Sequence, residues 1–231
     1  MDTILAFGDS ILKGVVYENG SYRISGASFP KLCEKALNIT IDNKAKFGST
    51  ISKGETIVNR NIQAIHSASG KYVLLEFGGN DCDFNWKEIS DHPDRGHPPA
   101  NTIVNFRTTY IRMIRAIKST GKMPVLLSLP PVDPSRYFEH ISRNRSKDNI
   151  RRWLQNDIQF IANWHEIYNI EIIMLGQTCQ IPVIDITSVF LERKNYTTCL
   201  CSDGIHPNVE GHKLIADMLL SYVSSHRITF S

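Results

Sequence analysis

Five short runs of apolar residues, each closed by turn-forming residues, are separated along the chain by segments with helical spacing. Such runs predict buried strands, and their alternation with helices predicts βαβ crossovers, which build a parallel sheet covered on both faces. We therefore predict an α/β fold, a three-layer α/β/α sandwich with a five-stranded parallel sheet. The predicted strands are residues 3–7, 39–42, 72–77, 124–129 and 181–186.

The segments between these runs carry apolar residues along one helical face. A helix is predicted after Ser28, because serine is a good N-terminal capping residue and Pro30 is tolerated in the first turn of a helix. Another begins near Lys53, a third spans residues 101–119 and ends before Gly121, and a last follows Asn208. The residues expected to face the sheet in the first three are Leu32, Cys33, Ala36, Leu37, Ile57, Ile62, Ile65, Val104, Ile111, Ile114 and Ile117.

Two segments interrupt the alternation, at about residues 82–99 and 130–149. Each one leaves the carboxyl end of a predicted strand, which is the edge where α/β proteins bind ligands. Both are therefore expected to overhang a binding site. No repeat or low-complexity linker divides the chain, so residues 1–231 are predicted to form one domain with these two insertions.

Composition narrows the class of protein more than its function. A hydrophobic fraction of 42% and a charged fraction of 21% are typical of soluble globular proteins, and a formal net charge of +3 does not indicate binding to nucleic acid or to an anionic membrane. No apolar run reaches membrane-spanning length, and no secretory signal precedes the first strand, so a cytoplasmic location is expected. A secreted chain whose signal peptide had been removed would have the same features. The five cysteines are scattered and odd in number, which favours free thiols.

The turn after the first strand, Gly8-Asp9-Ser10, is the first candidate for chemistry. It leaves the carboxyl end of a buried strand, where catalytic groups of α/β proteins lie. A serine hydroxyl is a weak nucleophile at neutral pH unless a base removes its proton. Ser10 therefore needs a base and oxyanion donors from elsewhere in the chain.

Two later turns offer oxyanion donors. Gly48 follows the second strand, where glycine allows a backbone N–H to approach a ligand closely, although glycine also serves turn geometry alone. Asn80 lies in the turn Gly78-Gly79-Asn80-Asp81 after the third strand. Its amide either faces a developing negative oxygen or stabilises its own turn. These residues by themselves leave both alternatives open.

A base is offered near the carboxyl terminus, where Asp203 and His206 lie three residues apart in a turn. A carboxylate at this spacing can hold one ring nitrogen of the imidazole while the other faces outward. Pro207 and Asn208 already supply the chemistry that starts the following helix, which leaves His206 free for another role.

Together, the four turns resemble the motif blocks of the SGNH (GDSL-type) hydrolase superfamily, in family order and over nearly the whole chain. The resemblance implies a flavodoxin-like parallel sheet and a serine hydrolase, without cofactor or metal, that acts on carboxylic esters or thioesters. The matching residues are Gly8-Asp9-Ser10, Gly48, Gly78-Gly79-Asn80-Asp81 and Asp203-Gly204-Ile205-His206-Pro207.

The resemblance also implies a role for each residue. Ser10 would be the nucleophile, His206 the general base and then the general acid, and Asp203 the carboxylate that orients the imidazole. The backbone N–H groups of Ser10 and Gly48, with the side chain of Asn80, would form the oxyanion hole.

The substrate is less well defined. Phe84 and Trp86 either form the wall of an acyl or alcohol pocket or attach the insertion to the body of the protein, and Asp9 is a third candidate for substrate contact. A small-molecule, carbohydrate or lipid ester is the expected partner. The acyl length, the leaving group, the choice between hydrolysis and acyl transfer, and the oligomeric state stay open. The basic stretch from Arg136 to Arg152 is more typical of a solvated helix face than of a site for an acidic group.

Two other functions compete with the serine hydrolase. A metal-dependent phosphoesterase would use Asp9, Asn80, Asp81 and His206 as ligands, but these residues lack the Asp-x-His opening common in such sites. A non-catalytic binding module on the same scaffold is the other alternative, because a fold does not determine a function.

Overall fold

The five predicted strands form one parallel sheet in the computed structural model, which describes residues 2–230. A separate antiparallel hairpin supplies two further strands. The strands are β1 (Thr3–Gly8), β2 (Val15–Glu18), β3 (Ser21–Ile24), β4 (Thr40–Asn43), β5 (Tyr72–Glu76), β6 (Met123–Leu127) and β7 (Val183–Ile184).

The parallel sheet has the order β4-β1-β5-β6-β7, with Leu5 paired to Val73 and Leu126 paired to Val183. The chain adds β4 on one side of β1 and all later strands on the other. This is the flavodoxin-like order, whose switch point lies between the first strand and its later neighbour. The loops after β1 and β5, which carry Ser10 and Asn80, leave the sheet on either side of this point. The predicted α/β fold is confirmed.

Helices cover both faces of the sheet. Alternate residues of β1 enter two different cores: Ile4 and Ala6 pack under one layer of helices, and Leu5 and Phe7 pack under the other. Within residues 2–230, no helix combines the length and apolar character needed to cross a lipid bilayer. The helices are α1 (Ser10–Lys13), α2 (Phe29–Leu37), α3 (Ile51–Arg60), α4 (Ile62–Ser67), α5 (Trp86–Asp91), α6 (Ile103–Lys118), α7 (Pro134–Ile141), α8 (Lys147–Trp153), α9 (Gln159–Cys179), α10 (Ser188–Leu191) and α11 (Val209–Ser225).

Three of the four helices predicted individually are present as α2, α6 and α11, with boundaries within a few residues of those expected. The helix predicted from about Lys53 is divided at Asn61 into α3 and α4, and Ile62 and Ile65 lie on α4. Two residues of the predicted faces are wrong: Val104 on α6 is 61% exposed, and Ala36 on α2 is also exposed. The buried stripe of α6 begins two residues later, because Phe106 and Tyr110 are the side chains that reach the core on this face.

The two insertions contain helices and pack against each other. Residues 82–99 contain α5, and residues 130–149 contain α7 and the start of α8. With the first turn of α9, these helices share a third apolar cluster that includes Trp86, Tyr137 and Ile161. Residues of both insertions, among them Trp86 and Tyr137, line the same cavity as Ser10.

The hairpin of β2 and β3 was not among the predicted elements. Its turn is Asn19-Gly20, with φ values of 51° and 80°. Two consecutive positive φ values are typical of the tight turn that joins the two strands of a hairpin with a two-residue loop. The hairpin places Tyr22 beside the candidate base, since the rings of Tyr22 and His206 are 5.3 Å apart.

Candidate active site

The loop after β1 turns sharply because of its first two residues. A Cβ on Gly8 would lie 2.6 Å from the carbonyl oxygen of Glu76, so only glycine fits beside β5. The next residue, Asp9, caps the single turn of α1, and its Oδ1 accepts the N–H of Ile11 at 2.9 Å. Ser10 is therefore the first residue of a short helix at the carboxyl end of β1.

The turn that carries the candidate base is held at both ends. The N–H of Cys201 donates to the carbonyl of His206 at 2.7 Å, and the N–H of Asp133 donates to the carbonyl of Gly204 at 2.8 Å. Gly204 has a φ of +81°, and a Cβ there would lie 2.6 Å from the backbone nitrogen of Tyr137. The turn is thus fixed against α7 and the segment before it.

Three side chains from the two ends of the sequence form a continuous hydrogen-bonded chain. His206 Nδ1 lies 2.6 Å from Asp203 Oδ2, and His206 Nε2 lies 2.8 Å from Ser10 Oγ. All three residues are buried, with exposures of 0% for Asp203, 3% for His206 and 7% for Ser10. The distances and order match those of a nucleophile, a base and an orienting carboxylate.

The electrostatics of Asp203 suit a carboxylate that stays ionised. Burial by itself raises the pKa of Asp203, but hydrogen bonds from the His206 ring and from the backbone N–H groups of His206 and Ile205 hold its pKa below the ordinary value. With Asp203 as acceptor, the proton of the neutral imidazole lies on Nδ1, and Nε2 is left to accept a proton from Ser10.

The residues that carry the three candidate oxyanion donors, Ser10, Gly48 and Asn80, all line one cavity. Among residues 2–230, the backbone N–H groups of Ser10 and Gly48 have no hydrogen-bond acceptor. Asn80 differs, since its Nδ2 lies 2.8 Å from Asp9 Oδ2 and 3.3 Å from the carbonyl of Ser49. The structure thus brings the candidate donors to one place.

A second buried carboxyl group, that of Glu76, lies beside Asp9 and binds the backbone of the same loop. Oε2 of Glu76, at the end of β5, accepts the N–H groups of Leu12 at 3.2 Å and of Asp9 at 3.4 Å. Burial and the neighbouring Asp9 raise the pKa of Glu76 well above its ordinary value. Burial also raises the pKa of Asp9, but the N–H of Ile11, the nearby Glu76 carboxyl group and the amide of Asn80 oppose this. We therefore place the proton of the pair on Glu76 and the charge on Asp9.

These contacts give Asp9 a positioning role, because its two carboxylate oxygens hold the start of α1 and the amide of Asn80. Asp9 is 1% exposed. Contact between Asp9 and substrate stays a prediction.

Asp81 serves the loop after β5 rather than the cavity. Its carboxylate accepts the N–H of Ile51 at 2.9 Å and the side-chain amide of Asn101 at 2.7 Å. It thereby joins the start of α3 to the segment before α6. Burial raises the pKa of Asp81 to about 7, although the bonds from Ile51 and Asn101 lower it.

The cavity beside Ser10 has a volume of about 310 Å³ and extends from Ser10 and His206 to the insertions. Phe84 and Trp86 lie in its wall, and Trp86 also packs into the third apolar cluster, so the two alternatives considered for these rings are compatible. Substrate contact by either ring stays a prediction. Other cavity-lining residues are Tyr22, Phe47, Asp83, Tyr137, His140, Arg145, Trp164 and His165.

The basic stretch is mostly engaged away from the cavity. Arg136 donates to the carbonyl of Thr197 at 2.6 Å, Lys147 pairs with Glu139, and only Arg145 of the six basic residues lines the cavity. The interpretation as a solvated face therefore fits most of the stretch.

Sequence reasoning missed two groups of residues around the site. Glu76 had a signal, since an acidic residue inside an apolar strand needs a partner or a proton. Tyr22 and Phe47 are 41% and 52% exposed at the mouth of the cavity. Tyr22 reaches His206 through the hairpin, for which Asn19-Gly20 was a signal, whereas no pattern in the sequence indicated that the loop after β4 brings Phe47 there.

Comparison with known proteins shows the family of this chain. The model of the GDSL-like Lipase/Acylhydrolase family matches residues 6–214. The chain is 22% identical over 222 residues to the GDSL esterase/lipase CPRD49 of Arabidopsis thaliana, covering 95% of this chain and 78% of that protein.

Solved structures share the fold at low identity. A lipase/acylhydrolase from Enterococcus faecalis is 21% identical, with a TM-score of 0.64 and coverage of 98% of this chain and 97% of that one. An acetyl xylan esterase from Geobacillus stearothermophilus is 16% identical, with a TM-score of 0.69 and coverage of 96% and 94%. The family match over most of the length, together with the shared SGNH hydrolase fold, shows that this chain belongs to the GDSL-like lipase/acylhydrolase family and is an ester hydrolase.

Proposed function

We propose that the protein cleaves carboxylic esters or thioesters through an acyl-enzyme on Ser10, with His206 as general base and Asp203 as the orienting carboxylate. The observation that carries this proposal is the buried chain of hydrogen bonds, 2.6 Å from Asp203 to His206 and 2.8 Å from His206 to Ser10. The other hydroxyl–imidazole pair in the cavity, Tyr22 with His140 at 3.0 Å, has no carboxylate on its second ring nitrogen among the described residues.

In the first half-reaction, Ser10 Oγ attacks the acyl carbon while its proton moves to His206 Nε2. The tetrahedral intermediate collapses when the same nitrogen returns that proton to the leaving alkoxide, or protonates the leaving thiolate, and the acyl group remains on Ser10. In the second half-reaction, water loses a proton to His206 and attacks the acyl-enzyme. The carboxylic acid leaves, and Ser10 recovers its proton.

The oxyanion that forms in each half-reaction would be held by the N–H groups of Ser10 and Gly48 and by the amide of Asn80. The first two have no protein acceptor within residues 2–230 and are oriented without cost at the moment of reaction. The third would exchange its longer bond, 3.3 Å to Ser49, for the oxyanion, while Asp9 keeps the amide in place.

Substitution of the nucleophile tests the proposal. We expect Ser10→Ala to lower hydrolysis of p-nitrophenyl acetate by roughly a millionfold, because attack and proton transfer are lost together. Ser135→Ala, on a serine that follows the start of α7, is the matched control and should retain wild-type turnover. Activity of Ser10→Ala above one per cent of the wild-type value would contradict the proposal.

The metal-dependent alternative receives no support from the donor set. Within residues 2–230, no group of three or more His, Cys, Asp or Glu side chains has the spacing of a metal site. Asp9, Asp81 and His206 each have their acceptors or donors engaged by protein groups. We expect EDTA to leave turnover unchanged, and loss of activity that Mn²⁺ restores would favour the alternative.

A further inference from the structure

We propose that the cavity beside Ser10 contains a subsite for a hydroxyl group of the substrate, formed by His165 on α9. This inference rests on the proposed function of Ser10 and adds a chemical class to it. The ester would carry a hydroxyl on its acyl chain or on its alcohol, as hydroxy acids and saccharides do, rather than a plain alkyl group.

The first observation is that His165 is buried without a protein partner. The residue is 7% exposed and lines the cavity. Among residues 2–230, neither ring nitrogen takes part in a hydrogen bond or an ion pair. A buried polar group left unpaired costs about 1–3 kcal/mol, so such groups in native proteins usually bond to water or to a ligand.

The second observation is that neighbouring polar groups in the same wall are already paired. The indole N–H of Trp86 donates to Asp83 at 2.7 Å, and the indole N–H of Trp164 donates to the carbonyl of Cys82 at 3.0 Å. His206 is engaged by Ser10 and Asp203. His140 in the same wall has an unpaired Nδ1, but its Nε2 contacts the Tyr22 hydroxyl at 3.0 Å. Among the described residues of this wall, His165 is therefore the imidazole with both ring nitrogens left for a ligand.

The state of the ring decides which ligand group fits. Burial lowers the pKa of His165 to about 4, so the imidazole is neutral at pH 7 and has one donor nitrogen and one acceptor nitrogen. A hydroxyl group is also both donor and acceptor. A methylene group at this position would leave the ring unpaired.

The remaining wall accommodates the carbon skeleton that carries such a hydroxyl. Phe84, Trp86, Tyr137 and Trp164 present aromatic surface to the cavity. Aromatic rings contact the C–H faces of saccharides and of short acyl chains equally well. The walls thus supply contact area, and His165 supplies the discrimination between hydroxylated and plain groups.

Two matched pairs of esters test the inference and identify which side of the ester carries the hydroxyl. The acyl pair is p-nitrophenyl butyrate and p-nitrophenyl 3-hydroxybutyrate. The alcohol pair is cyclohexyl acetate and an acetylated methyl xyloside. Values of kcat and KM would be measured for the wild type, for His165→Phe and His165→Asn, and for His66→Phe as a control on an exposed histidine of α4.

We expect the wild type to prefer the hydroxylated ester of one pair. His165→Phe should lower kcat/KM for that ester by roughly tenfold to a hundredfold, mainly through KM, because a bond worth about 1–3 kcal/mol is lost. The same variant should leave the plain ester within about threefold of the wild-type value, which is under 1 kcal/mol. His165→Asn keeps a donor and an acceptor and should retain part of the preference, and His66→Phe should behave as the wild type.

Two results would overturn the inference. One is a wild type that turns over both members of each pair equally, which decides the matter even if His165→Phe fails to fold. The other is an equal loss on all four esters in His165→Phe, which would indicate packing alone. Neither result affects the proposed function, which is tested separately by the activity of Ser10→Ala.

Discussion

Replacement of Glu76 by Gln and by Leu separates the two functions assigned to this carboxyl group, which are to accept hydrogen bonds and to hold a proton. Oε2 of Glu76 accepts the N–H groups of Leu12 and Asp9, at the start of the loop that carries Ser10. Glutamine retains an acceptor oxygen and offers N–H donors to the Asp9 carboxylate. Leucine offers neither.

The magnitude follows from the number of buried groups left unpaired. Glu76→Leu removes the acceptor of two buried N–H groups, each worth about 1–3 kcal/mol, so we expect the free energy of unfolding at pH 7 to fall by about 2–6 kcal/mol. Glu76→Gln should stay within about 1 kcal/mol of the wild type at pH 5, where both side chains are uncharged in the native protein.

The dependence on pH distinguishes the proton from the hydrogen bonds. The pKa of Glu76 is raised in the native state, so above its ordinary value of 4.5 the native protein holds a proton that the unfolded chain releases. The free energy of unfolding of the wild type therefore falls as pH rises through this window, by at most about 1.4 kcal/mol per pH unit from this group. Glu76→Gln lacks this contribution, so its stability relative to the wild type should increase from pH 5 to pH 8.

Urea denaturation followed by far-ultraviolet circular dichroism at pH 5, 6, 7 and 8 measures these differences for the three proteins. Wild type and Glu76→Gln should have equal denaturant slopes, so that the midpoints report stability. A difference between them that stays constant from pH 5 to pH 8 would show that Glu76 is ionised in the native protein and would refute the protonated pair.

Three further predictions concern the site and the core. Asn80→Ala should lower kcat by roughly a hundredfold to a thousandfold with little change in KM, because one oxyanion donor is lost, and Asn80→Asp should do no better. Asp203→Asn should lower kcat by roughly ten-thousandfold while Ser10 and His206 stay in place, which stopped-flow assays of p-nitrophenyl acetate would measure. Burial lowers the pKa of His212 to about 4, so between pH 6.5 and pH 4 the unfolded chain binds a proton that the native protein does not, and the free energy of unfolding falls as pH falls below about 6.5. In urea denaturation, His212→Leu should therefore lose less free energy of unfolding than the wild type between pH 7 and pH 4.5. An equal loss in the two proteins would contradict a neutral buried ring.

The strands and the turns that carry Ser10 and His206 were predictable because local patterns determine them. A short apolar run closed by Gly8-Asp9-Ser10 is a strand followed by a turn wherever it occurs in an α/β chain. Asp203 and His206 contact each other because they are three residues apart in one turn. The contact of His206 with Ser10, across 196 residues, followed only from the rule that loops after parallel strands meet at one edge.

The rest of the site depends on contacts that no local pattern records. Tyr22 reaches His206 because Asn19 and Gly20 both adopt positive φ, and this hairpin signal was present in the sequence although it was not used. His165 lies on α9, whose residues are so apolar overall that the helix has no clear division into a buried and an exposed face. Its position in the cavity depends on how α9 packs against the insertions, which spacing along the chain does not determine.

Labelling with a fluorophosphonate tests the central claim most directly, since the reagent forms a stable adduct only with a serine whose hydroxyl is activated by a neighbouring base. The account predicts one phosphonyl group per chain, found by mass spectrometry on the peptide that contains Ser10, and much slower labelling of His206→Ala. An enzyme that loses no activity during treatment, or an adduct on a residue other than Ser10 in an inactivated enzyme, would contradict it.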